Sequence, residues 1–286
     1  TLLYIDGEGK LVSKAIGHMD GPKFIDAGKS ALRKNDKTEL YAKEYAAGKR
    51  DFSIVYNYVR ALNNSGKSST KIANEYINSQ KDMTTNENLS FLLEAAAEVD
   101  SRIFDLFLKN KDKLVAQYGA DVIQAKIISA ATKTVKKAIE FQTIDLVTTA
   151  IGKIKSLVPA LADKFQFQSN LMYYSSVINA EAFLQTIKNL PGQIEKDPKQ
   201  MLDLANTIEK SYSSEVKLLT PIEKLLNQSM SNAPTIEQKF ALARIYVLNN
   251  KTDKAYKLLD ESISDGKNQN MDVTLIEQFK LKLGKS

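Results

Sequence analysis

Along most of the chain, apolar residues recur at intervals of three and four, the spacing that places them on one face of a helix. From residue 37 onward, short polar breaks rich in Gly, Asn, Asp and Pro divide this pattern into a series of predicted helices. The predicted helices cover residues 38–47, 51–63, 67–80, 87–97, 101–118, 120–137, 140–156, 159–178, 180–193, 198–212, 214–230, 235–249, 252–265 and 271–283.

The first 35 residues follow a different pattern. The apolar run Leu2–Asp6 and the alternating run Lys10–Gly17 flank a Gly-Glu-Gly turn, which predicts an antiparallel hairpin. Pro22 then opens a helix, since proline is well tolerated at a first helical position. A hairpin and one helix are too small to fold alone, so we expect this ββα piece to dock on further protein.

Several predicted helices begin at residues suited to cap them. Asp51, Asp197 and Thr235 each precede a helical run, where a side-chain oxygen accepts a hydrogen bond from a backbone N–H of the first turn. Pro198 occupies the first helical position after Asp197. These positions fix the predicted helix starts more firmly than the ends.

Two distant segments repeat one plan. Residues 52–79 and 240–263 each carry a helix with Tyr, Ala and Leu on one face, a turn that begins Leu-Asn-Asn, and a second helix that faces back. Residues 203–226 suggest another pair, whereas 101–190 shows no measurable period. The plan resembles a degenerate tetratricopeptide repeat. The predicted fold class is therefore mainly α, a helix-hairpin solenoid that buries its apolar faces between neighbouring hairpins, preceded by the short ββα piece.

Residues 1–32 resemble the last third of a bacterial thioredoxin-like domain, with a strand "TLLYID", the turn "GEG", a strand "KLVSKAIG" and a closing helix "GPKFIDAGKSAL". The resemblance implies a domain remnant at 1–35 and a helical repeat domain at 36–286. It also implies that Thr1 is no natural start, that a Cys-x-x-Cys lies upstream, and that the protein is periplasmic or in the cell envelope. The alternative, an unrelated hairpin that caps a solenoid, stays open.

Candidate catalytic chemistry is sparse. The chain has no cysteine and one histidine. The lack of cysteine excludes a thiolate nucleophile, a disulfide or a Cys-based metal site within it. His18 lies close to Asp20 in the sequence, but no nucleophile or second ligand is nearby, so we predict a surface histidine and not an acid–base pair. Gly66-Lys67-Ser68 imitates a phosphate-binding loop, but Ala61 replaces the required glycine and favours an inter-helix turn. We therefore predict no catalytic, cofactor or metal site and no enzyme activity in this chain.

The net charge of +6 at pH 7 is spread among interleaved Lys, Asp and Glu residues. Its densest run, Lys133 to Lys137, is typical of a solvated helix face, so we predict no nucleic-acid partner. No stretch of eighteen uninterrupted apolar residues occurs, so no transmembrane segment is predicted.

The predicted function is a non-catalytic module that binds a protein or peptide on a concave helical face. Its candidate lining residues are Tyr56, Asn57, Arg60, Asn63 and Lys67. The aromatic cluster at 171–177 favours a core position over a peptide groove. The alternative is the extension of a thiol–disulfide oxidoreductase whose active cysteines precede Thr1; self-association is left open.

Overall fold

The computed structural model describes residues 2–5, 7, 9–16, 21–34, 37–190, 192, 197–230 and 234–284, and this part of the chain is mainly helical with one two-stranded sheet. The strands are β1 (Leu2–Ile5) and β2 (Leu11–Ala15). The helices are α1 (Gly21–Lys34), α2 (Thr38–Ala46), α3 (Phe52–Asn64), α4 (Thr70–Ser79), α5 (Asn86–Ala95), α6 (Arg102–Lys109), α7 (Lys111–Tyr118), α8 (Ala120–Glu140), α9 (Ile144–Leu157), α10 (Ala162–Ser176), α11 (Ala180–Lys188), α12 (Pro198–Ser211), α13 (Val216–Ser229), α14 (Ile236–Leu248), α15 (Thr252–Asn268) and α16 (Thr274–Leu283), with a 3₁₀ turn at Pro159–Leu161.

The chain divides into two compact units, Thr1–Ala130 and Ala131–Ser286, and the division falls within α8. The domain boundary predicted near Asn35 lies outside the described residues, so the division into 1–35 and 36–286 stays a prediction. Thr1, Gly17, His18 and Asp20 also lie outside them.

The predicted antiparallel hairpin is confirmed. Leu2 pairs with Ala15 and Tyr4 with Ser13, and a β-bulge between Tyr4 and Ile5 shifts the register so that Ile5 faces Leu11. Its large apolar side chains are mostly exposed among the described residues, as are two on α1. The most exposed are Leu3, Ile5, Leu11, Ile16, Phe24 and Ile25.

The predicted helix caps form. Asp51 accepts the N–H of Ile54, and Asp197 accepts the N–H of Lys199 at 3.0 Å. Thr235 and Gln238 form a capping box: the Thr235 hydroxyl oxygen accepts the backbone N–H of Gln238, and the Gln238 side-chain oxygen accepts the backbone N–H of Thr235. The starts of α3, α12 and α14 therefore follow from their first residues.

The single helix predicted over 101–118 is wrong. Asn110 separates α6 from α7, because its side-chain amide donates to the carbonyl of Leu106 at 2.9 Å and competes for the helical hydrogen bonds there. The helix predicted over 140–156 begins only at Ile144, since α8 continues to Glu140 and Gln142 then adopts a left-handed φ of 50°.

In the first unit, α3 packs on α2, α4 and α5, and α5 packs on α6. Val59 of α3 and Phe91 of α5 are fully buried. The Tyr76 ring of α4 lies 4.2 Å from the Phe91 ring, and its hydroxyl donates to the Asn88 side chain at 2.8 Å. The contact between these rings and the Tyr76–Asn88 hydrogen bond hold α4 against α5.

In the second unit, three successive helix hairpins, α10–α11, α12–α13 and α14–α15, share one apolar core. The first helices pack side by side, α10 on α12 and α12 on α14, while α11 packs on α13. Leu204, Ala205 and Ile208 of α12 are completely buried in this layer. The core residues drawn from all six helices are Phe167, Leu171, Phe183, Ile187, Met201, Leu204, Ala205, Ile208, Leu218, Leu219, Ile222, Leu225, Leu226, Ala241, Leu242, Ile245, Tyr246 and Ala255.

Gly266, buried in α15, is expected to tolerate no side chain. A Cβ there would lie 2.2 Å from Cγ1 of Val273, which is itself buried. Alanine usually stabilises a helix relative to glycine, but Gly266→Ala should lower the free energy of unfolding by about 1–3 kcal/mol because the core becomes overpacked. Urea unfolding at equilibrium measures this change.

Gly152 of α9 is the matched control, since it is exposed and a Cβ there would meet no atom within 4 Å. Gly152→Ala should raise the free energy of unfolding by about 0.5–1 kcal/mol. In a double variant, Val273→Ala removes the atom that the new Cβ would meet, so it should restore most of the free energy of unfolding that Gly266→Ala loses through overpacking. Equal stabilisation by both glycine replacements would contradict the packing argument.

Candidate functional site

The predicted lining residues of α3 lie on two neighbouring faces. Tyr56, Arg60 and Asn63 follow one stripe of the helix, Asn57 lies beside it, and Lys67 lies in the turn after the helix. Arg60 and Lys67 are exposed, whereas the others are half-buried. The helix therefore brings three of the five together.

Asn63 is engaged within the fold. Its amide nitrogen donates to the backbone carbonyl of Glu94 at 3.1 Å and to the Glu94 carboxylate at 2.8 Å. Its amide oxygen accepts from the Ser69 hydroxyl at 2.8 Å. Because Glu94 belongs to α5 and Ser69 precedes α4, this side chain ties the end of α3 to both helices.

Tyr56 packs its ring 5.4 Å from that of Phe52. Burial, and next the nearby Glu94 carboxylate, raise the pKa of the Tyr56 phenol above its ordinary value. A Cβ on Gly7 would lie 3.0 Å from the Arg60 guanidinium, so Arg60 extends to the turn of the β-hairpin. The role of this face in binding stays a prediction.

Two grooves lie on either side of a different helix, α10, which forms one wall of each. The first, the α11-side groove, has a volume of about 470 Å³ and lies between α10 and α11. It is lined by Asp163, Gln166, Phe167, Asn170, Tyr174, Ala182, Gln185, Thr186 and Asn189. The second, the α12-side groove, has a volume of about 490 Å³ and lies between α10 and α12. It is lined by Gln168, Leu171, Met172, Ser175, Ser176, Gln200, Asp203, Thr207, Lys210 and Ser211.

The α11-side groove combines amides with an aromatic floor. Gln166 and Gln185 are exposed at its two walls and Asn170 is half-buried between them, so each can donate and accept hydrogen bonds. The buried Phe167 ring and the half-buried Tyr174 ring supply apolar surface beneath. Such a site can hold a ligand that has both polar and apolar parts.

Three of the hydroxyls that line the α12-side groove already donate their hydrogens within their own helices. Ser175 and Ser176 donate to the carbonyl of Met172 at 3.2 and 2.8 Å, and Thr207 donates to the carbonyl of Asp203 at 2.8 Å. Their oxygens keep lone pairs that can accept further hydrogen bonds. This wall therefore offers mainly acceptors to a ligand.

Polar contacts at both ends hold α10 and α12 side by side. Near the start of α12, the Lys164 ammonium lies 3.5 Å from the Asp197 carboxylate, and Gln168 donates to Gln200 at 3.1 Å. Near its end, the buried Tyr212 hydroxyl donates to the carbonyl of Tyr174. Because contacts advance along both helices in the same direction, the two helices run parallel on either side of the α12-side groove.

The core interpretation of residues 171–177 is correct for part of this stretch. Leu171 and Tyr173 are buried, but Met172, Tyr174 and Ser175 line the grooves. Sequence reasoning missed these grooves. The signal was the sequence "KFQFQSNLMYYSS", where amides and hydroxyls occupy every face of an aromatic-rich helix instead of one solvated face.

Among the described residues, no three His, Asp or Glu side chains are grouped so that they could bind a metal ion. None of the described helices is both long and apolar enough to cross a bilayer.

Comparison with known proteins adds no assignment: no protein-family model matches the chain, and no curated protein is significantly similar to it in sequence.

Tyr212 should make the stability of the protein depend on pH above 10. Burial raises the pKa of its phenol to about 12, whereas the unfolded chain should titrate near 10. Between these values the folded protein holds a proton that the unfolded chain has lost, so the free energy of unfolding falls as the pH rises. Guanidinium unfolding at a series of pH values measures this decline.

Tyr212→Phe separates this residue from the other tyrosines. It should cost about 1 kcal/mol at pH 7, because the Tyr174 carbonyl loses a donor, and it should flatten the decline between pH 10 and 12. Parallel pH curves for the two proteins would contradict the assignment.

Proposed function

We propose that this chain is a non-catalytic interaction module that binds a short peptide segment beside α10. The observation that carries the proposal is the pair of grooves on either side of this helix, each lined by uncharged amides or hydroxyls over apolar surface. No step of chemistry is required of such a site, since affinity comes from hydrogen bonds and burial.

Amide-lined grooves suit the peptide main chain. Each peptide unit offers one N–H donor and one C=O acceptor, and a Gln or Asn side chain carries the complementary pair. In the α11-side groove, Gln166 lies on the α10 wall and Gln185 on the α11 wall, so an extended segment can bond to both walls. Phe167 and Tyr174 would take its side chains.

The order of the helices supports a tetratricopeptide-like array in the second unit. The hairpins begin at Ala162, Pro198 and Ile236, at nearly even spacing, and each packs on the next. Repeats of this kind bind ligands with side chains from successive helices. The α11-side groove lies within the first hairpin, and the α12-side groove lies where the first hairpin meets the second.

The charges of the groove walls favour a peptide over a nucleic acid. Within the described part of the chain, the lining of the two grooves contains one cationic residue, Lys210, and two anionic residues, Asp163 and Asp203. A phosphate backbone needs several cations to replace its counterions. A neutral main chain needs none.

Binding to an immobilised peptide library tests the proposal. Asn170→Ala should weaken the affinity for selected peptides about tenfold, since one good hydrogen bond is lost, while the stability of the protein changes little. Asn57→Ala on α3 is the matched control and should leave the affinity unchanged if the grooves of α10 bind the peptide. The reverse ranking would place binding on α3 instead, and an absence of any bound peptide would refute the proposal.

A second candidate function is favoured by the exposed apolar surface of the ββα piece. Leu3, Ile5 and Leu11 are 54%, 57% and 53% exposed, although they lie on paired strands. Apolar residues clustered in this way are typical of a surface that packs on more protein. We propose that this surface packs on an upstream thioredoxin-like domain, so that the whole protein is a cell-envelope thiol–disulfide oxidoreductase and this chain is its extension.

The protein encoded upstream of Thr1 decides this candidate. We expect a Cys-x-x-Cys there, and dithiothreitol-dependent insulin reduction by the whole protein that is lost when either cysteine becomes serine. A natural start at Thr1, or an upstream domain without cysteines, would contradict it. Peptide binding beside α10 could survive that outcome.

A further inference from the structure

Gln200 has one amide atom that the fold does not satisfy. It lies in the first turn of α12, and its side chain is 1% exposed. Its oxygen accepts from the Gln168 side chain at 3.1 Å, but its nitrogen Nε2 is buried and has no hydrogen-bond partner among the described residues. Buried polar atoms are nearly always paired, because burying an unpaired donor costs stability.

The same side chain lines the α12-side groove. Because Nε2 is buried in the free protein, an acceptor on a ligand in the groove reaches it only when the Gln200 amide turns towards the groove. The surrounding wall offers the opposite chemistry, since Ser175, Ser176 and Thr207 already donate to their own helices and present acceptor oxygens. The ligand must therefore carry an acceptor at one end and donors along its length.

We propose that the α12-side groove binds an extended, uncharged peptide of about four residues, one of whose main-chain carbonyls accepts a hydrogen bond from Nε2 of Gln200. This rests on the proposed function and names the residue that selects the ligand. Main-chain N–H groups of the same segment donate to the serine and threonine oxygens. Met172 and Leu171 provide apolar contact for its side chains.

The length follows from the helix that forms the wall. Gln168 and Ser176 mark the ends of the lining on α10, which at 1.5 Å per residue span roughly 12 Å. An extended chain covers about 3.3 Å per residue, so about four residues fill the groove.

The composition of the wall also limits the ligand. Asp203 and Lys210 are exposed and of opposite sign, so neither a strongly acidic nor a strongly basic segment is favoured. Among the described residues that line this groove none is aromatic, so stacking of a sugar or a base has no platform on them. A neutral peptide meets these limits.

The test is titration of the ¹⁵N-labelled protein with a library of N-acetylated, C-amidated tetrapeptides of uncharged residues. We expect the Gln200 side-chain NH₂ signals to shift as peptide is added. Gln200→Met keeps the length of the side chain but removes the donor, so affinity should fall at least tenfold. The same replacement should raise the Tm by about 2–4 °C, because a buried unpaired donor is removed.

Gln185→Met in the α11-side groove is the matched control and should leave the Gln200 shifts intact. Binding that Gln185→Met abolishes and Gln200→Met leaves unchanged would overturn this inference while preserving the proposed function. A lack of binding in both grooves would overturn both. A shift of the Gln200 signals by a neutral oligosaccharide such as maltopentaose, but by no peptide, would overturn the ligand class.

Discussion

Burial of apolar surface between successive helix hairpins is the constraint on which the second unit depends. A single hairpin exposes an apolar face on each side, so α12 is stable only when both its neighbours cover it. Leu204, Ala205 and Ile208 are completely buried for this reason. The same packing fixes the position of α12 along the axis of α10, and with it the positions of Gln200 and Tyr212.

Polar chemistry is built onto this packed layer at α10. The helix buries Phe167 and Leu171, yet places amides towards α11 and hydroxyls towards α12. Its C-terminal end is held by hydrogen bonds as well as by packing, since the Tyr174 carbonyl accepts both the Tyr212 hydroxyl and the Asn179 N–H. The groove walls are therefore pre-formed, which lowers the entropy cost of binding.

The fold was predictable where local chemistry decides it. Apolar periodicity located most helices, and Asp51, Asp197 and Thr235 located three of their starts. The break at Asn110 was missed because it depends on one side-chain amide that competes with the helix, and asparagine also occurs within helices.

The grooves were not predictable from the same signals. Gln168 and Gln200 are far apart in sequence, and nothing local shows that the amide of Gln200 is buried or that one of its atoms is unpaired. The residues chosen on α3 followed from helix position alone, and Asn63 there serves the packing of α3 on α5. Burial and pairing are tertiary properties, which is why sequence reasoning located helices better than sites.

The shared wall has a consequence for affinity. Because α10 borders both grooves, an occupant of one groove that displaces this helix also alters the other, and each ligand must then change the affinity of its counterpart by the same factor. A rigid α10 would make the two sites independent. Cooperativity between two occupants would thus report how far α10 moves, a movement that the hydrogen bond from the Tyr212 hydroxyl restrains at the end of that helix.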